Sequence, residues 1–454
     1  MQTTQRRPEP ATSVASTTPA GQSPLLTKTW YANYVLIALT LCYVLNTMDR
    51  SQILAASVQA IKKEFGASDF QMGVLTGIPF AVFYSFMGIP IAAWADRSSR
   101  RNVLAMAVAS WSAMTALFGM SVNYAMLFVA RVGTAIGEAG GSPPSHSLIS
   151  DYFPKASRGT AFSIYALGVP LGTFAGATFG GWGNQTLGWR STFILAGVPG
   201  LIIALILWLT VKEPPRGMSD GVSRAAAERA PVPGMFEVLY TLWQRRSFRH
   251  LTLAAALHSV VWYASGAFNN AFLQRSHQMT VAEAGYWIGI LSLIGGLGTF
   301  FGGFLSDRLS VRFGDRRWYM FVPGIATLLC VPFQFLAYLS PERAIVLPSF
   351  VGLMFMAAVF FGPSFTMTQA LATLRMRSVA TSLLLFIQTL IGNGIGPSVT
   401  GLISDLLNPS YQQNSLRYAL VVIGVVNIWA ALHYLLGSRT LRQDLEATEK
   451  LAAA

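Results

Sequence analysis

The chain has 454 residues, 53% hydrophobic and 11% charged, with a formal net charge of +13. A water-facing protein carries roughly 25% charged residues, so this composition excludes a soluble enzyme or binding domain and makes lipid the solvent for most of the surface. The basic residues fall between apolar runs and form no continuous patch, which excludes a nucleic-acid surface and points to a topological role.

Residues 1–28 are rich in Thr, Ser, Pro and Gln, lack the apolar core of a signal peptide, and read as a disordered cytoplasmic tail. A spanning helix needs about 20 mostly apolar residues. Six candidates, near 30–54, 69–94, 102–121, 123–149, 158–183 and 190–211, make a first bundle over 29–211. A polar linker, 212–247, carries the helix breakers Glu213-Pro-Pro-Arg-Gly and Pro231-Val-Pro-Gly. Its end, Met235-Phe-Glu-Val-Leu-Tyr-Thr-Leu-Trp, spaces apolar residues at three and four. It reads either as a helix on the membrane surface, with Arg245, Arg246 and Arg249 toward anionic lipid, or as a solvated connector. Six more candidates, near 248–274, 283–306, 318–340, 344–370, 377–403 and 416–437, make a second bundle over 248–437, followed by a cytoplasmic tail at 438–454. The expected fold is an all-α membrane protein of 12 transmembrane helices in two six-helix bundles.

With both termini cytoplasmic, 24 Lys and Arg lie on the cytoplasmic side, six on the other side, and two, Arg50 and Arg131, inside spans. That asymmetry sets the orientation. The halves also repeat. Ala92-Ala-Trp-Ala-Asp-Arg-Ser-Ser-Arg-Arg ends the second span, and Gly303-Phe-Leu-Ser-Asp-Arg-Leu, followed by Arg316 and Arg317, ends the eighth. Two halves related by an axis along the membrane normal form a transporter plan with its binding site between them near mid-membrane.

The stretch from Asp96 to Arg101 resembles the loop signature Gly-x-x-x-Asp-Arg/Lys-x-Gly-Arg/Lys-Arg/Lys of the major facilitator superfamily. It departs at both glycines, Ala92 and Ser99 here, while the second copy keeps Gly303. The resemblance implies a cytoplasmic gate carried by Asp96, Arg97, Arg100, Arg101, Asp307 and Arg308. Positive-inside charge is the plainer reading, but topology does not need an acid among the arginines. Arg131 matches the Arg of that family's fourth-helix motif. Glycines 168, 172, 176 and 180 run along one face of span five, where they serve close packing and, by the resemblance, rocking. Four segments, Leu45-Asn-Thr-Met-Asp-Arg-Ser, Arg131-Val-Gly-Thr-Ala-Ile-Gly-Glu-Ala-Gly, Ile149-Ser-Asp-Tyr-Phe-Pro-Lys-Ala-Ser-Arg-Gly and Glu213-Pro-Pro-Arg-Gly, are similar to the bacterial branch of the Spinster family. That resemblance implies movement of lysophospholipid- or sphingolipid-like molecules with one tail and an anionic head, across a bacterial inner (plasma) membrane.

Asp49, Arg50, Arg131 and Glu138 are the acids and bases deep in predicted spans. Each costs roughly 2.5–3.5 kcal/mol at a helix centre on insertion scales, so four together point to partners and a function. Arg131 and Glu138 are two turns apart on one face, and Asn46 and Arg50 one turn apart on another. Burial raises a carboxyl pKa and a nearby Arg lowers it, so a proton and an anionic head can compete for Arg50, whose planar fork suits phosphate. A static salt-bridge network is the alternative. The second half offers no such charges. It supplies aromatics and amides, with Trp262, Tyr263, Asn269, Phe361 and Gln369 joining Asn46 as candidates to line the cavity; Phe268, Asn270, Phe360, Phe365 and Met367 share that composition. Gly392-Asn-Gly-Ile-Gly-Pro reads as a kink or a thin wall. His146, His258 and His433 read as packing residues, with a proton relay the alternative for His146.

Cys42 and Cys330 lie far apart in apolar runs, and no His/Cys/acid set has metal-ligand spacing, so neither metal nor cofactor is expected. Phosphate-binding and nucleophile-elbow motifs are absent, which argues against direct ATP drive and a hydrolase. The expected partners are a small amphiphile, protons and membrane lipid, around a monomer. Drug efflux, small organic anion transport and a transport-silent sensor of the same fold are the competing functions.

Overall fold

The computed structural model describes residues 28–216, 218–219, 235–373 and 376–453, and all regular structure among them is helical. Residues 1–27 and most of the linker, with its Pro231 motif, lie outside the described residues.

Among the described residues, nine helical runs are long and apolar enough to cross a membrane. Two of them fold back. In Ser157–Thr210 the backbone reverses at Gly188, whose φ of +80° suits glycine. A Cβ on Gly183 would lie 2.7 Å from the Thr192 hydroxyl, whereas nine residues of straight helix would separate them by about 13 Å. In Val379–Lys450 the chain turns at Gln412–Asn414, and Ser404 meets Ser415 at 3.1 Å. The remaining span is interrupted. Its first piece, Tyr124–Ala139, ends at Gly140-Gly141, and Ser142–Tyr152 restarts it with proline in its first turn. This layout agrees with the twelve spans read from the sequence.

Some boundaries move. Span one runs through to Phe65, past the expected end near residue 54, because a single π-helical turn, Met48–Gln52, carries the helix on beyond the charged pair. The C-terminal residues expected as a tail continue the last helix, Val426–Ala453. Leu441 and Leu445 are buried there, and Asp444 accepts from the backbone and hydroxyl of Ser247. The stretch Met235–Trp243 is a helix, with Val238 and Leu242 buried and Phe236 and Tyr240 exposed.

The two halves are fastened at their outer ends. Span two (Asp69–Arg97) lies against the outer part of span eleven, Gly394–Tyr411, with backbones nearly touching. A Cβ on Gly73 would sit 2.2 Å from the Pro397 carbonyl oxygen, and one on Gly401 2.2 Å from that of Asp69. Spans five and eight (Val281–Phe313) meet the same way at Gly181 and Gly285. Among the described residues, every hydrogen bond and ion pair between the halves lies at these outer ends. Further in, Phe86 and Phe386 meet edge to face at 5.6 Å. If the termini are cytoplasmic, as the charge asymmetry reads, the cytoplasmic ends are the ones joined by no hydrogen bond or ion pair among the described residues.

Candidate functional site

The π-helical turn in span one carries Asp49 and Arg50. Such a turn widens the helix and leaves a backbone carbonyl without its usual partner. Within this turn the Arg50 carbonyl oxygen accepts from Arg131 Nη2. Arg50 then reaches the other way. Its Nε donates to Glu138 Oε2 at 3.1 Å and its Nη2 to Asn46 Oδ1 at 3.2 Å. Its guanidinium lies over the rings of Phe80 and Tyr84, 4.8 and 4.7 Å from their centroids. Phe80 and Tyr84 bound a second π-helical turn, in span two, and Arg131 shares the Phe80 ring at 5.3 Å. Asp49 faces Thr115 of span three, whose hydroxyl donates to Oδ2 at 3.4 Å.

The sequence-predicted charges therefore meet in one network, with Asn46. Arg131 is tied to backbone, leaving Arg50 as the cation that faces both Glu138 and the opening. Asp49, Arg131 and Glu138 are buried, whereas the Arg50 side chain keeps 28% of its surface exposed. Buried polar atoms of this network remain unpartnered among the described residues: Asn46 Nδ2, Asp49 Oδ1, Glu138 Oε1, Arg131 Nε and Trp111 Nε1. Buried polar atoms normally find a partner, so the network has donors and acceptors to spare for water or a polar head. Gly137 permits the fit, since a Cβ there would strike the Trp111 backbone nitrogen at 2.7 Å.

The opposite wall comes from the second half. Tyr263 of span seven (Arg246–His277) lies within the electrostatic reach of Arg50 and also bonds Thr389. Trp262 meets Phe361 edge to face at 5.7 Å, and Phe361 packs on Phe360 at 4.2 Å. One amide assignment needs correction. Asn269 is buried inside the second half and accepts from Tyr338 at 2.7 Å, so residue type placed it in the cavity but its packing places it elsewhere. Gln369 is exposed near the cytoplasmic end of span ten, beside Thr381. His258 is buried against Asn427 and the Ala357 carbonyl, and His146 packs between Phe162 and Tyr165.

The cytoplasmic motif residues divide. Arg100 is buried and holds Asp151, the Ser147 hydroxyl, Glu213 (2.7 Å) and the Pro214 carbonyl, while the Arg101 backbone donates to Glu213. These bonds fasten the loop after span two to the ends of spans four and six within one half. Asp96 pairs with Arg216 at the start of the linker at 3.6 Å, and Arg97 is exposed. Asp307 accepts from Tyr319, and Arg308 lies 6.0 Å from the Phe304 ring centroid. Among the described residues, none of these pairs crosses to the other half.

A second charged cluster, at the outer face, was missed in the sequence. Asp69, buried at the head of span two, receives Arg275 from span seven through Nη1 (2.8 Å) and Nη2 (2.6 Å), Lys62 at 2.6 Å and Ser404 at 2.7 Å. Asp405 of span eleven accepts from the backbone N–H groups of Asp69 and Phe70 at 2.9 and 2.8 Å, placing a carboxylate at the positive end of the helix. The available signals were the capping pair Ser68 and Gln71, which marks a helix start, and the scarcity of cations on this side.

Comparison with known proteins agrees with this geometry. The Major Facilitator Superfamily pattern matches residues 39–397 and 251–453. A crystal structure of a bacterial homologue of the human lysosomal transporter Spinster, inward-facing and unoccupied, is 34% identical and superimposes with a TM-score of 0.83, covering 93% of this chain and 99% of that one. An MFS-type efflux pump of Mycolicibacterium smegmatis is 30% identical over 410 residues, 90% of this chain and 92% of that protein. The sphingosine-1-phosphate transporter SPNS2 of Danio rerio is 26% identical over 433 residues, 90% and 84% of the two chains. The chain is an integral membrane protein of the Major Facilitator Superfamily, and within it is Spinster-like.

Proposed function

We propose that the protein moves single-tailed amphiphiles with an anionic head, of lysophospholipid or sphingoid type, by alternating access coupled to protons. The observation that carries this reading is the placing of Arg50. It is held by Glu138 on one side and open to the cleft on the other, opposite a wall of Trp262, Tyr263 and Phe361. An ionised Glu138 occupies the guanidinium. A protonated one releases it to a phosphate, for which the planar fork gives paired hydrogen bonds. Asp49 is the second carboxyl in the network able to take up a proton. The aromatic wall receives the alkyl tail, and Asp96 with its neighbours closes the cytoplasmic side in the alternate state. The similarity to the sphingosine-1-phosphate transporter SPNS2 supports the substrate class.

The test is flux in proteoliposomes with an imposed pH gradient, using lysophosphatidylglycerol, sphingosine-1-phosphate and a neutral single-chain lipid. Anionic amphiphiles should move with the gradient, and Arg50→Ala should reduce their flux at least tenfold while changing the neutral lipid less. Equal losses for both would make Arg50 structural. The name of the mycobacterial relative favours a second reading, efflux of drug-like amphiphiles. Transport of cationic dyes in preference to anionic lipids would select it.

A further inference from the structure

Outside the central network, a basic cluster lies on the lipid side of spans seven and twelve, close to the cytoplasmic surface. His250 and His433 touch there, Nδ1 to Nδ1 at 2.9 Å. The charge of Arg249 acts on His250, and the Trp429 ring lies 6.0 Å from that of His433. Among the described residues, Arg246, Arg249, His250 and His433 have no carboxylate in ion-pair contact.

The face is a lipid face. On span seven, Arg246, His250, Leu253 and Leu257 follow a four-three-four spacing that puts them on one stripe, away from the side that carries Trp262 and Tyr263. On the last helix, Ile428, Trp429 and Leu432 beside His433 are exposed. Arg246 opens span seven, and His250 sits one turn deeper, about 6 Å. Trp429 lies one turn deeper again on the antiparallel helix. Cations toward the cytosol, imidazoles at the next level and an indole beneath them reproduce the vertical order of a phospholipid: phosphate, glycerol region, start of the tails. The neighbouring helix Met235–Trp243 supports that level, since its exposed Phe236, Tyr240 and Trp243, at four and three residue intervals, form an aromatic edge suited to the membrane interface.

The geometry points to a site for the phosphate of an anionic phospholipid of the inner leaflet, held by Arg249, His250 and His433. The chemistry of the histidine pair fits an anion. With Nδ1 facing Nδ1, one ring must donate and the other accept, and the accepting neutral ring carries its proton on Nε2. That N–H is available to a phosphate oxygen. The site is separate from the substrate path and does not depend on the proposed substrate.

Native mass spectrometry of the purified, delipidated full chain tests this, with phosphatidylglycerol and phosphatidylcholine of identical acyl chains as probes. The wild type should retain phosphatidylglycerol over phosphatidylcholine by roughly fivefold or more, the effect of about one interfacial basic residue. Arg249→Gln with His433→Gln should abolish the preference. Arg246→Gln, which changes an exposed side chain at the rim, should weaken it only partly. Equal retention of both lipids by the wild type overturns the proposal whether or not the double variant folds. A preference that survives in a double variant eluting as a folded monomer also overturns it. Displacement of phosphatidylglycerol by millimolar inorganic phosphate would reassign the site to a soluble anion and overturn the lipid assignment.

Discussion

Asp69 and Arg275 hold the outer ends of the two halves together through two parallel hydrogen bonds, 2.8 and 2.6 Å, across the cleft. The paired geometry suits a carboxylate and a guanidinium, and Lys62 and Ser404 saturate the same carboxylate. Removing the charge leaves Arg275 without its counter-ion in a mostly buried place. Breaking a buried pair by one partner costs roughly 3–5 kcal/mol. Since the pair exists only while the outer face is closed, that cost falls on the cytoplasm-open state. Asp69→Asn should therefore shift the population toward the outward-open state. Spin labels at Lys63 and Gln412, exposed on opposite halves, should report longer distances in the variant. An unchanged distance distribution would mean that the glycine seam alone holds the face closed.

Glu138 faces Arg50 at 3.1 Å and leaves its second oxygen unpartnered. Glu138→Gln keeps the size and most of the hydrogen bonding but cannot lose a proton. The variant should fold, bind anionic amphiphiles at least as well as the wild type, and lose the pH dependence of flux. Proteoliposome uptake across an imposed gradient of about one to two pH units, each unit worth 1.36 kcal/mol per coupled proton, checks this. A variant that still follows the gradient would pass the coupling role to Asp49.

The parts of this fold that were legible in the sequence follow from cost. Lipid forces long apolar runs, so the spans could be read directly. It also makes Asp49, Arg50, Arg131 and Glu138 conspicuous. What could not be read was how those residues divide their labour. Arg131 donates to the Arg50 carbonyl, which lies in a π-helical turn, and apolar periodicity gives no sign of such a turn. Asp69, Lys62 and Arg275 escaped notice for the opposite reason. Charges at span ends are cheap, and 206 residues separate Asp69 from its partner Arg275. Asn269 shows that an amide in a span says nothing of where it points until neighbours such as Tyr338 are known.

Asp315, in the turn between spans eight and nine, fastens the final helix. Arg442 donates to it at 2.7 Å, and Arg317 donates from both backbone and side chain. Partial desolvation pushes its carboxyl up, but the hydrogen bonds from Arg442 and Arg317 outweigh that and bring the pKa down to about 2. A carboxyl held below its unfolded value of roughly 3.9 contributes stability above that value. The contribution is lost as the pH falls from about 4 toward 2. A spin label at the exposed Glu446 should gain mobility over that range in the wild type and already be mobile at about pH 7 in Asp315→Asn. A label equally restrained in both proteins at neutral pH would show that the buried Leu441 and Leu445 suffice.

Gly73 tests the other component of outer closure. A Cβ at this position would lie 2.2 Å from the Pro397 carbonyl oxygen and 2.7 Å from its carbon, both backbone atoms. Neither can rotate aside, so a larger residue must push span two from span eleven. Gly88, in the same span, has nothing within 4 Å of its would-be Cβ, and substitution there controls for the loss of a helical glycine, which in itself favours the helix by up to about 1 kcal/mol. Gly73→Val should move the Lys63 and Gln412 labels apart and slow transport, because the cytoplasm-open state can no longer close behind its cargo. Gly88→Val should do neither. If both variants kept the wild-type distances and rates, the close approach would be slack in the bilayer, and outer closure would rest on Asp69 and its partners.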